Sequence, residues 1–214
     1  MKIAQGSVSW IIAPFMVAII FMILAMAFIG SSRIVFLFMS ILSFVITMFF
    51  LLFFRDPNRD IGKGIVSPAD GKIREISRVE DDVIGDATKI SIFMNVYNVH
   101  VNRMPLDGVV KDIVYTLGSH TPAFKKESES NERLVLIIDT HIGRMKLIQI
   151  AGTLARRIVP YVNKGDTLKK GKKIGIIRFG SRVDVYLPAK KIKSIVKVKD
   201  NIKAGEDTIA EIYD

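Results

Sequence analysis

"RLVLIIDTHIGRMKLIQIAG", residues 133–152, decides the fold class of the larger part of this chain. It is rich in β-branched residues, and polar residues or glycine bound its apolar runs, which is typical of β-strands. The same pattern recurs in "KISIFMNVYNVHV" (89–101), "GVVKDIVYTL" (108–117) and "RRIVPYV" (156–162). After residue 54 no segment keeps a helical apolar period for three turns, and "TPAFKKESESNER" (121–133) predicts a surface loop or short helix. We therefore expect a mainly β domain.

The N-terminal quarter has a different character, because it contains two uncharged apolar runs. These are "VSWIIAPFMVAIIFMILAMAFIG" (8–30) and "IVFLFMSILSFVITMFFLLFF" (34–54). Each matches the roughly 20 residues that cross ~30 Å of hydrocarbon. A cleaved signal peptide is the competing interpretation, but there are two runs and neither ends in a small-residue cleavage pattern. We predict a transmembrane helical hairpin over residues 1–54, crossing the bilayer or dipping deeply into it, and a β-rich domain over residues 55–214.

The charges beside the apolar runs predict the orientation of the hairpin. Lys2 precedes the first run, Arg55, Arg59 and Lys63 follow the second, and only Arg33 lies in the turn. Since cytoplasmic flanks carry the excess of positive charge, we expect a cell-membrane protein whose polar domain lies in the cytoplasm. The chain has no cysteine, which excludes disulfides and thiol chemistry.

The polar domain is basic. Two of the 31 Lys and Arg residues precede residue 55, and the other 29 outnumber the 21 Asp and Glu residues, all of which follow it, by eight. A basic domain tethered to a bilayer is attracted to anionic headgroups, although a solvated lysine surface has the same composition. A nucleic-acid partner is disfavoured, since no recognition-helix pattern or basic–aromatic interleaving occurs.

One internal repeat is present. "VNKGDTLKKG" (162–171) shares the pattern V-x-x-x-D-x-[LI]-x-x-G with "VKVKDNIKAG" (196–205). The pattern resembles the β-hairpins of biotinyl/lipoyl carrier domains, and "SPADGKI" (67–73) resembles the strand that opens such a sandwich. Four matched positions are modest evidence for a repeat. The resemblance implies biotinyl/lipoyl-like hairpin features within the β-rich domain.

The segment "RFGSRVDVYLP" (178–188) places a glycine and a serine where a strand has little use for them. A β-bulge is the plain explanation of the Gly180–Ser181 pair. The pair also permits chemistry, because glycine lets the Ser181 hydroxyl approach the carbonyl carbon of Gly180 and replace the peptide bond by an ester. β-Elimination would then split the chain and leave dehydroalanine, which hydrolyses to a pyruvoyl group. Such a carbonyl is an electrophile for an amine and a sink for a carbanion.

Several motifs together resemble one family. "FGSRVDVYLP" (179–188), "SPADGKI", "NVHVNRMP" (98–105), "NER" (131–133) and "GTLARRIV" (152–159) are similar to the short form of the phosphatidylserine decarboxylase proenzymes. The resemblance implies that Ser181 becomes the pyruvoyl cofactor after cleavage between Gly180 and Ser181. It also implies a large chain of residues 1–180 and a small chain of residues 181–214.

Asp70 and His100 are the next candidate catalytic residues. Asp70 suits a turn and His100 suits a strand end, so each has a structural explanation. Serine attack nevertheless requires a base, and the base requires a group that orients it. His100 has the most apolar context of the three histidines, while His120 and His141 lie in turn-like segments. The family resemblance also implies roles for Asp70 and His100 in self-cleavage or decarboxylation.

Three arginines are candidates for binding an anionic substrate, since a guanidinium matches carboxylate and phosphate geometry. Arg178 and Arg182 flank Ser181. Arg103 stands where longer family members have a second histidine, in an H-x-x-H spacing. Either His100 serves both steps, or Arg103 binds an anionic group while another residue moves the proton. No metal site is expected from three scattered histidines without cysteine.

The function that we predict is pyruvoyl-dependent decarboxylation of a serine-headgroup phospholipid in the membrane. The lipid backbone, diacyl or archaeol, and the oligomeric state are left open. The alternative is a non-enzymatic membrane-anchored β-sandwich that resembles a carrier or adaptor domain, which would present a modifiable lysine at a hairpin tip. "PAKKIKS" (188–194) offers lysines but lacks the biotinyl-type Met-Lys-Met.

Overall fold

The computed structural model describes residues 2–118, 131–152, 157–178 and 181–213. The chain divides into two compact units, residues 1–58 and residues 59–214. The division lies four residues beyond the predicted domain boundary, which stays a prediction.

The N-terminal unit contains the two helices that the apolar runs predict. Helix α1 (Val8–Ala27) and helix α2 (Ser31–Phe53) are each long and apolar enough to cross a membrane. They pack against each other, and the Ser40 hydroxyl on α2 donates a 2.8 Å hydrogen bond to the Ala18 carbonyl on α1. Strand β1 (Lys2–Ile3) pairs with β2 (Arg55–Asp56), so the two ends of this unit meet. The two apolar helices indicate membrane association.

The C-terminal unit is built from short antiparallel strands, as the sequence predicts. Its strands are β3 (Ile65–Val66), β4 (Gly71–Asp81), β5 (Gly85–Met94), β6 (Val101–Arg103), β7 (Gly108–Thr116), β8 (Arg133–Thr140), β9 (Gly143–Ala151), β10 (Ile158–Pro160), β11 (Thr167–Leu168), β12 (Lys173–Ile177), β13 (Ser181–Pro188), β14 (Ile192–Ser194), β15 (Asn201–Ile202) and β16 (Thr208–Ile212).

The strands form three sheets. The largest has the order β11-β7-β8-β9-β13-β5-β4-β15, and two three-stranded sheets have the orders β10-β12-β6 and β14-β16-β3. The segment 133–152 forms the hairpin β8–β9, in which Leu134, Leu136 and Ile138 alternate inward to the core. The prediction of a mainly β domain is confirmed.

Two predicted segments need comment. The stretch 89–101 divides into β5 and β6, because Asn95 and Asn98 close a turn between them with side-chain hydrogen bonds. Most of the predicted loop at 121–133 lies outside the described residues.

The two repeat copies contribute the edge strands β11 and β15 to opposite sides of the eight-stranded sheet. The biotinyl/lipoyl-like hairpin features stay a prediction.

Candidate active site

Ser181 begins the central strand of the largest sheet. Strand β13 lies between β5 and β9, and Ser181 is paired with Met94 on one side and Ala151 on the other. The chain reaches this point from β12, which belongs to a different sheet, so the predicted cleavage point lies where the chain passes between two sheets. Gly180 lies outside the described residues. Ser181 itself is fully buried, and its hydroxyl lies 3.5 Å from the Met94 sulfur.

A buried pair of amide side chains lies beside Ser181. The Met94 sulfur also accepts a 3.7 Å hydrogen bond from Asn102 Nδ2, and Gln149 Nε2 donates a 2.6 Å hydrogen bond to Asn102 Oδ1. Both amides are fully buried, and Gln149 Oε1 has no hydrogen-bond partner within the described part of the chain. An unpaired buried acceptor is costly, so its retention next to a candidate reaction centre suggests a use. The sequence analysis missed both amides, although Gln149 interrupts an apolar strand.

His100 is buried just before β6, and its ring orientation assigns its protons. Its Nδ1 lies 2.9 Å from the carbonyl oxygen of Asn98, which can only accept, so Nδ1 carries the hydrogen. In the neutral ring Nε2 therefore has the lone pair that a general base needs. The His100 carbonyl accepts a 3.3 Å hydrogen bond from the Ile177 amide, four residues before Ser181. The structure thus brings the His100 segment to the crossing that precedes Ser181.

Asp70 is buried, and both of its carboxylate oxygens accept hydrogen bonds. Its two carboxylate oxygens accept hydrogen bonds from the Arg59 guanidinium at 3.0 and 2.9 Å, from the Ala204 amide at 2.7 Å and from the Val99 amide at 3.4 Å. Asp70 thereby holds the residue that precedes His100. The expectation that Asp70 orients the His100 ring stays a prediction, and the contact to Val99 offers a route through the backbone.

Gly71 allows the backbone that follows Asp70 to approach strand β5 closely. It has a φ of +154°, and a Cβ atom there would lie 2.2 Å from the carbonyl oxygen of Phe93. No residue with a side chain fits that approach without moving a strand. The glycine therefore lets the backbone beside Asp70 lie directly against β5.

Arg59, for which the sequence predicted only a role in membrane topology, contacts the candidate site through Asp70. Its side chain is 7% exposed, pairs with both Asp70 oxygens, and places a second nitrogen 3.2 Å from a carboxylate oxygen of Glu206. Both contacts to Asp70 come from one nitrogen, Nη2, so the guanidinium bridges two carboxylates through charge-assisted hydrogen bonds. No sequence signal distinguishes Arg59 from the other basic residues, since the contact depends on the fold.

Two of the three predicted substrate arginines have other contacts here. Successive strand residues face opposite sides of a sheet, so Arg182 points away from the side chain of Ser181. Its Nε lies 3.0 Å from Asp184 Oδ1. Arg103 is buried and donates a 3.1 Å hydrogen bond to the Gly171 carbonyl. Substrate binding by Arg182 and Arg103 stays a prediction that neither contact favours.

Arg178 is better placed for an anion. It is half-buried three residues before Ser181, and its amide donates a 3.3 Å hydrogen bond to the carbonyl of Arg157. Burial, together with the like charge of Arg157, lowers the pKa of Arg178, while Tyr161 opposes that shift. Two guanidinium groups at one place favour an anionic ligand, since it would relieve their repulsion.

The chain is similar to proteins of one known family. A family model described as phosphatidylserine decarboxylase matches residues 46–210. The chain belongs to the phosphatidylserine decarboxylase family. A phosphatidylserine decarboxylase proenzyme of Streptomyces coelicolor is 47% identical over 163 residues, covering 76% of this chain and 70% of the relative.

Archaeal family members match over a greater length. A provisionally named archaetidylserine decarboxylase proenzyme of Methanococcoides burtonii is 42% identical over 212 residues, covering 98% of this chain and 96% of the relative. A second, from Methanosarcina barkeri, is 39% identical over 213 residues with 98% of both chains covered. Membership of this family of phospholipid-biosynthesis proenzymes supports decarboxylase function. It disfavours the carrier or adaptor interpretation.

The "NER" motif, quoted above for its family resemblance, supports the strand beside Ser181. Glu132 is buried, accepts a hydrogen bond from the Tyr115 hydroxyl, and accepts another from the Ile158 amide at 3.0 Å. Burial, and then the bond to Glu132, raises the pKa of Tyr115 to about 12. The preceding Asn131 donates a 2.8 Å hydrogen bond to the carbonyl of Ala151, the residue paired with Ser181.

The remaining predictions concern histidines and metals. His141 is exposed in the β8–β9 turn, as expected, and His120 lies outside the described residues. Within the described part of the chain, no three His, Asp or Glu side chains cluster in a way that would hold a metal ion.

Proposed function

We propose that the chain is a self-processing, pyruvoyl-dependent decarboxylase that converts a serine-headgroup phospholipid, phosphatidylserine or archaetidylserine, to the ethanolamine phospholipid and CO₂. One observation carries the proposal. Within a member of this decarboxylase family, the serine of a Gly-Ser pair is buried at the start of the central strand, at the crossing between two sheets. Such a position shields a reactive group from water on every side.

Self-processing begins with attack by Ser181. A base takes the hydroxyl proton as the oxygen bonds to the Gly180 carbonyl carbon. The C–N bond between the residues then breaks, and the freed nitrogen gains that proton from the base, which leaves an ester and an amine. His100, with its lone pair on Nε2, is the proposed base. Elimination then removes the Cα proton to a base and breaks the Cβ–Oγ bond, which releases the Gly180 carboxylate and leaves dehydroalanine. Water hydrolyses this residue, with loss of ammonia, to the pyruvoyl group.

The residues around Ser181 fit a small, buried carbonyl group. Met94 and Ala151 enclose it on the two neighbouring strands, and the Asn102–Gln149 pair supplies polar atoms on the same face of the sheet. A pyruvoyl group formed from Ser181 would supply an electrophile for the substrate amine and a sink for the electrons released with CO₂. Arg178 is the proposed contact for the anionic part of the substrate, because it lies on the segment that leads to Ser181.

Cleavage would leave the two chains associated. The small chain, residues 181–214, contains β13 to β16, and β13 pairs with both β5 and β9 of the large chain, residues 1–180. Strand β15 pairs with β4, and β16 pairs with β3. We propose that the two chains stay together as one domain, anchored in the cell membrane by the N-terminal helices, on its cytoplasmic side.

Intact-mass analysis of the purified protein tests this function. The wild type should give a small chain of residues 181–214 whose N-terminus is blocked, and should release CO₂ from serine phospholipid. Ser181→Ala should remain one chain and release none. Ser91→Ala, which changes a buried serine on the neighbouring strand, should process normally. Cleavage of Ser181→Ala, or an active wild type that stays intact, would refute the pyruvoyl mechanism.

A further inference from the structure

The termini of strands β5, β7, β8, β9 and β13 that lie nearest Ser181 are all at the same end of the large sheet. The strand register places Thr116 of β7 opposite Arg133 of β8, and Ala151 of β9 opposite Ser181, which is in turn opposite Met94 of β5. We call this side of the sheet the Ser181 edge. The described residues that directly follow β7 and β5 therefore lie beyond the strand ends at which Ser181 is buried.

The two most exposed large apolar side chains of the described part of residues 59–214 lie just beyond this edge. Leu117, directly after β7, is 79% exposed, and Tyr97, in the turn after β5, is 72% exposed. The next is Tyr213 at 54%. Strands β7 and β5 are four strand spacings apart, or about 19 Å along the sheet. Two projecting apolar groups on either side of Ser181 make this edge unlike the rest of the domain.

The turn that carries Tyr97 is held in place by its own hydrogen bonds. The Asn95 amide donates to Asn98 Oδ1, and the Tyr97 amide donates to Asn95 Oδ1, both at 2.9 Å. The carbonyl of Asn98 in this turn contacts Nδ1 of His100. Tyr97 is therefore presented to solvent from an ordered turn. These hydrogen bonds use its backbone amide and not its side chain, so a substitution at position 97 retains them.

We propose that the Ser181 edge docks on the surface of the bilayer that holds the substrate, with Tyr97 and Leu117 inserted at the level of the headgroups. This inference rests on the proposed function, since a membrane lipid must bring its headgroup to Ser181. Tyrosine is suited to this interface, because it has an apolar ring and a polar tip. A bilayer fits better than a protein partner, because the chain has two helices able to span a membrane.

Charge on the same edge complements an anionic lipid surface. Lys72, at the start of β4, and Arg157 are both exposed. Arg178 is half-buried, its amide donates a hydrogen bond to the Arg157 carbonyl, and it lies three residues before Ser181. Each basic group close to an anionic leaflet adds about 1 kcal/mol of attraction. Apolar contacts flanking the site and basic groups around it would hold the headgroup of a lipid in place while the chain stays in contact with the bilayer.

A comparison of two substrates tests the docking. The full chain, with Tyr97→Ser and Leu117→Ser combined, is assayed on a long-chain serine phospholipid in vesicles and on a short-chain, monomerically soluble one. After normal processing, kcat/KM should fall about tenfold or more on vesicles and stay unchanged on the soluble lipid, since partial burial of two such side chains is lost. Tyr213→Ser is the matched control and should behave like the wild type. Equal loss on both substrates, or no loss on vesicles, would overturn the proposal.

Fluorescence provides a test that does not depend on catalysis. Trp10 is the only tryptophan, so Trp10→Phe gives a background in which Tyr97→Trp and Tyr213→Trp can each be examined in turn. Lipids brominated near the headgroup should quench Trp at position 97 several-fold more than Trp at position 213. Equal quenching would overturn the docking even in an active enzyme. A wild type that decarboxylates neither substrate but shows the difference would overturn the proposed function and leave the docking supported.

Discussion

Replacing Arg182 by methionine distinguishes a structural role from substrate binding. Arg182 lies next to Ser181 in the chain, yet its Nε is 3.0 Å from Asp184 Oδ1, and the two side chains are 13% and 2% exposed. Removing Arg182 takes away the closest positive charge beside the buried Asp184 carboxylate and leaves Lys89 as the other positive charge that acts on it. That loss typically costs about 3–5 kcal/mol. For a domain of this size it corresponds to a fall in Tm of about 6–20 °C.

The effect should also depend on pH. Burial raises the pKa of Asp184 above its ordinary value, while the charge of Arg182 lowers it. A carboxyl with a raised folded-state pKa contributes stability below its unfolded value, and that stability is lost as pH rises through the folded value. Without Arg182 the pKa of Asp184 rises further, so the loss of stability should be greater at pH 8 than at pH 5.

Thermal unfolding of the full chain in detergent measures both effects. Arg144→Met is the matched control, because Arg144 pairs with Asp139 at 3.2 Å on the same sheet but both side chains are about half exposed. Such a pair contributes about 1 kcal/mol or less. If Arg182→Met shifts Tm no more than the control, and instead raises KM for the lipid, the structural reasoning is wrong and Arg182 contacts substrate.

Three further predictions concern processing and topology. His100→Ala and Asp70→Ala should each slow formation of the 34-residue fragment, residues 181–214, by a factor of about 10² to 10⁴, and the two effects should not add. His141→Ala, at an exposed histidine, should process normally. A normal rate in His100→Ala would remove His100 from self-cleavage. Arg59→Met should slow the same step about tenfold or more, with partial rescue by Arg59→Lys, because a charge-assisted contact to Asp70 is lost; a normal rate would show that Asp70 does not need this partner. Protease outside sealed cells should leave residues 55–214 intact, and digestion there would reverse the predicted orientation.

Local sequence patterns were enough to predict the main helices and strands and to name Ser181 as the centre of the candidate site. Apolar runs of membrane-spanning length predict α1 and α2, and alternation in 133–152 predicts β8 and β9, because hydrophobic periodicity follows directly from helix and strand geometry. Ser181 could be predicted as a candidate reaction centre for the same reason, because the chemistry of a Gly-Ser pair depends on adjacent residues, which the sequence displays together.

Only the tertiary structure decided which side chains support that centre. Asn102 and Gln149 are 47 residues apart, and Ser181 and Met94 are 87 apart, yet each pair is in contact. Neighbouring strands bring such residues together through a register that no local pattern specifies. The sequence predicted Arg182 as a substrate contact because a guanidinium fits an anion and because Arg182 is adjacent to Ser181. Strand alternation turned it to the opposite face of the sheet, because successive side chains of a strand must point to opposite sides.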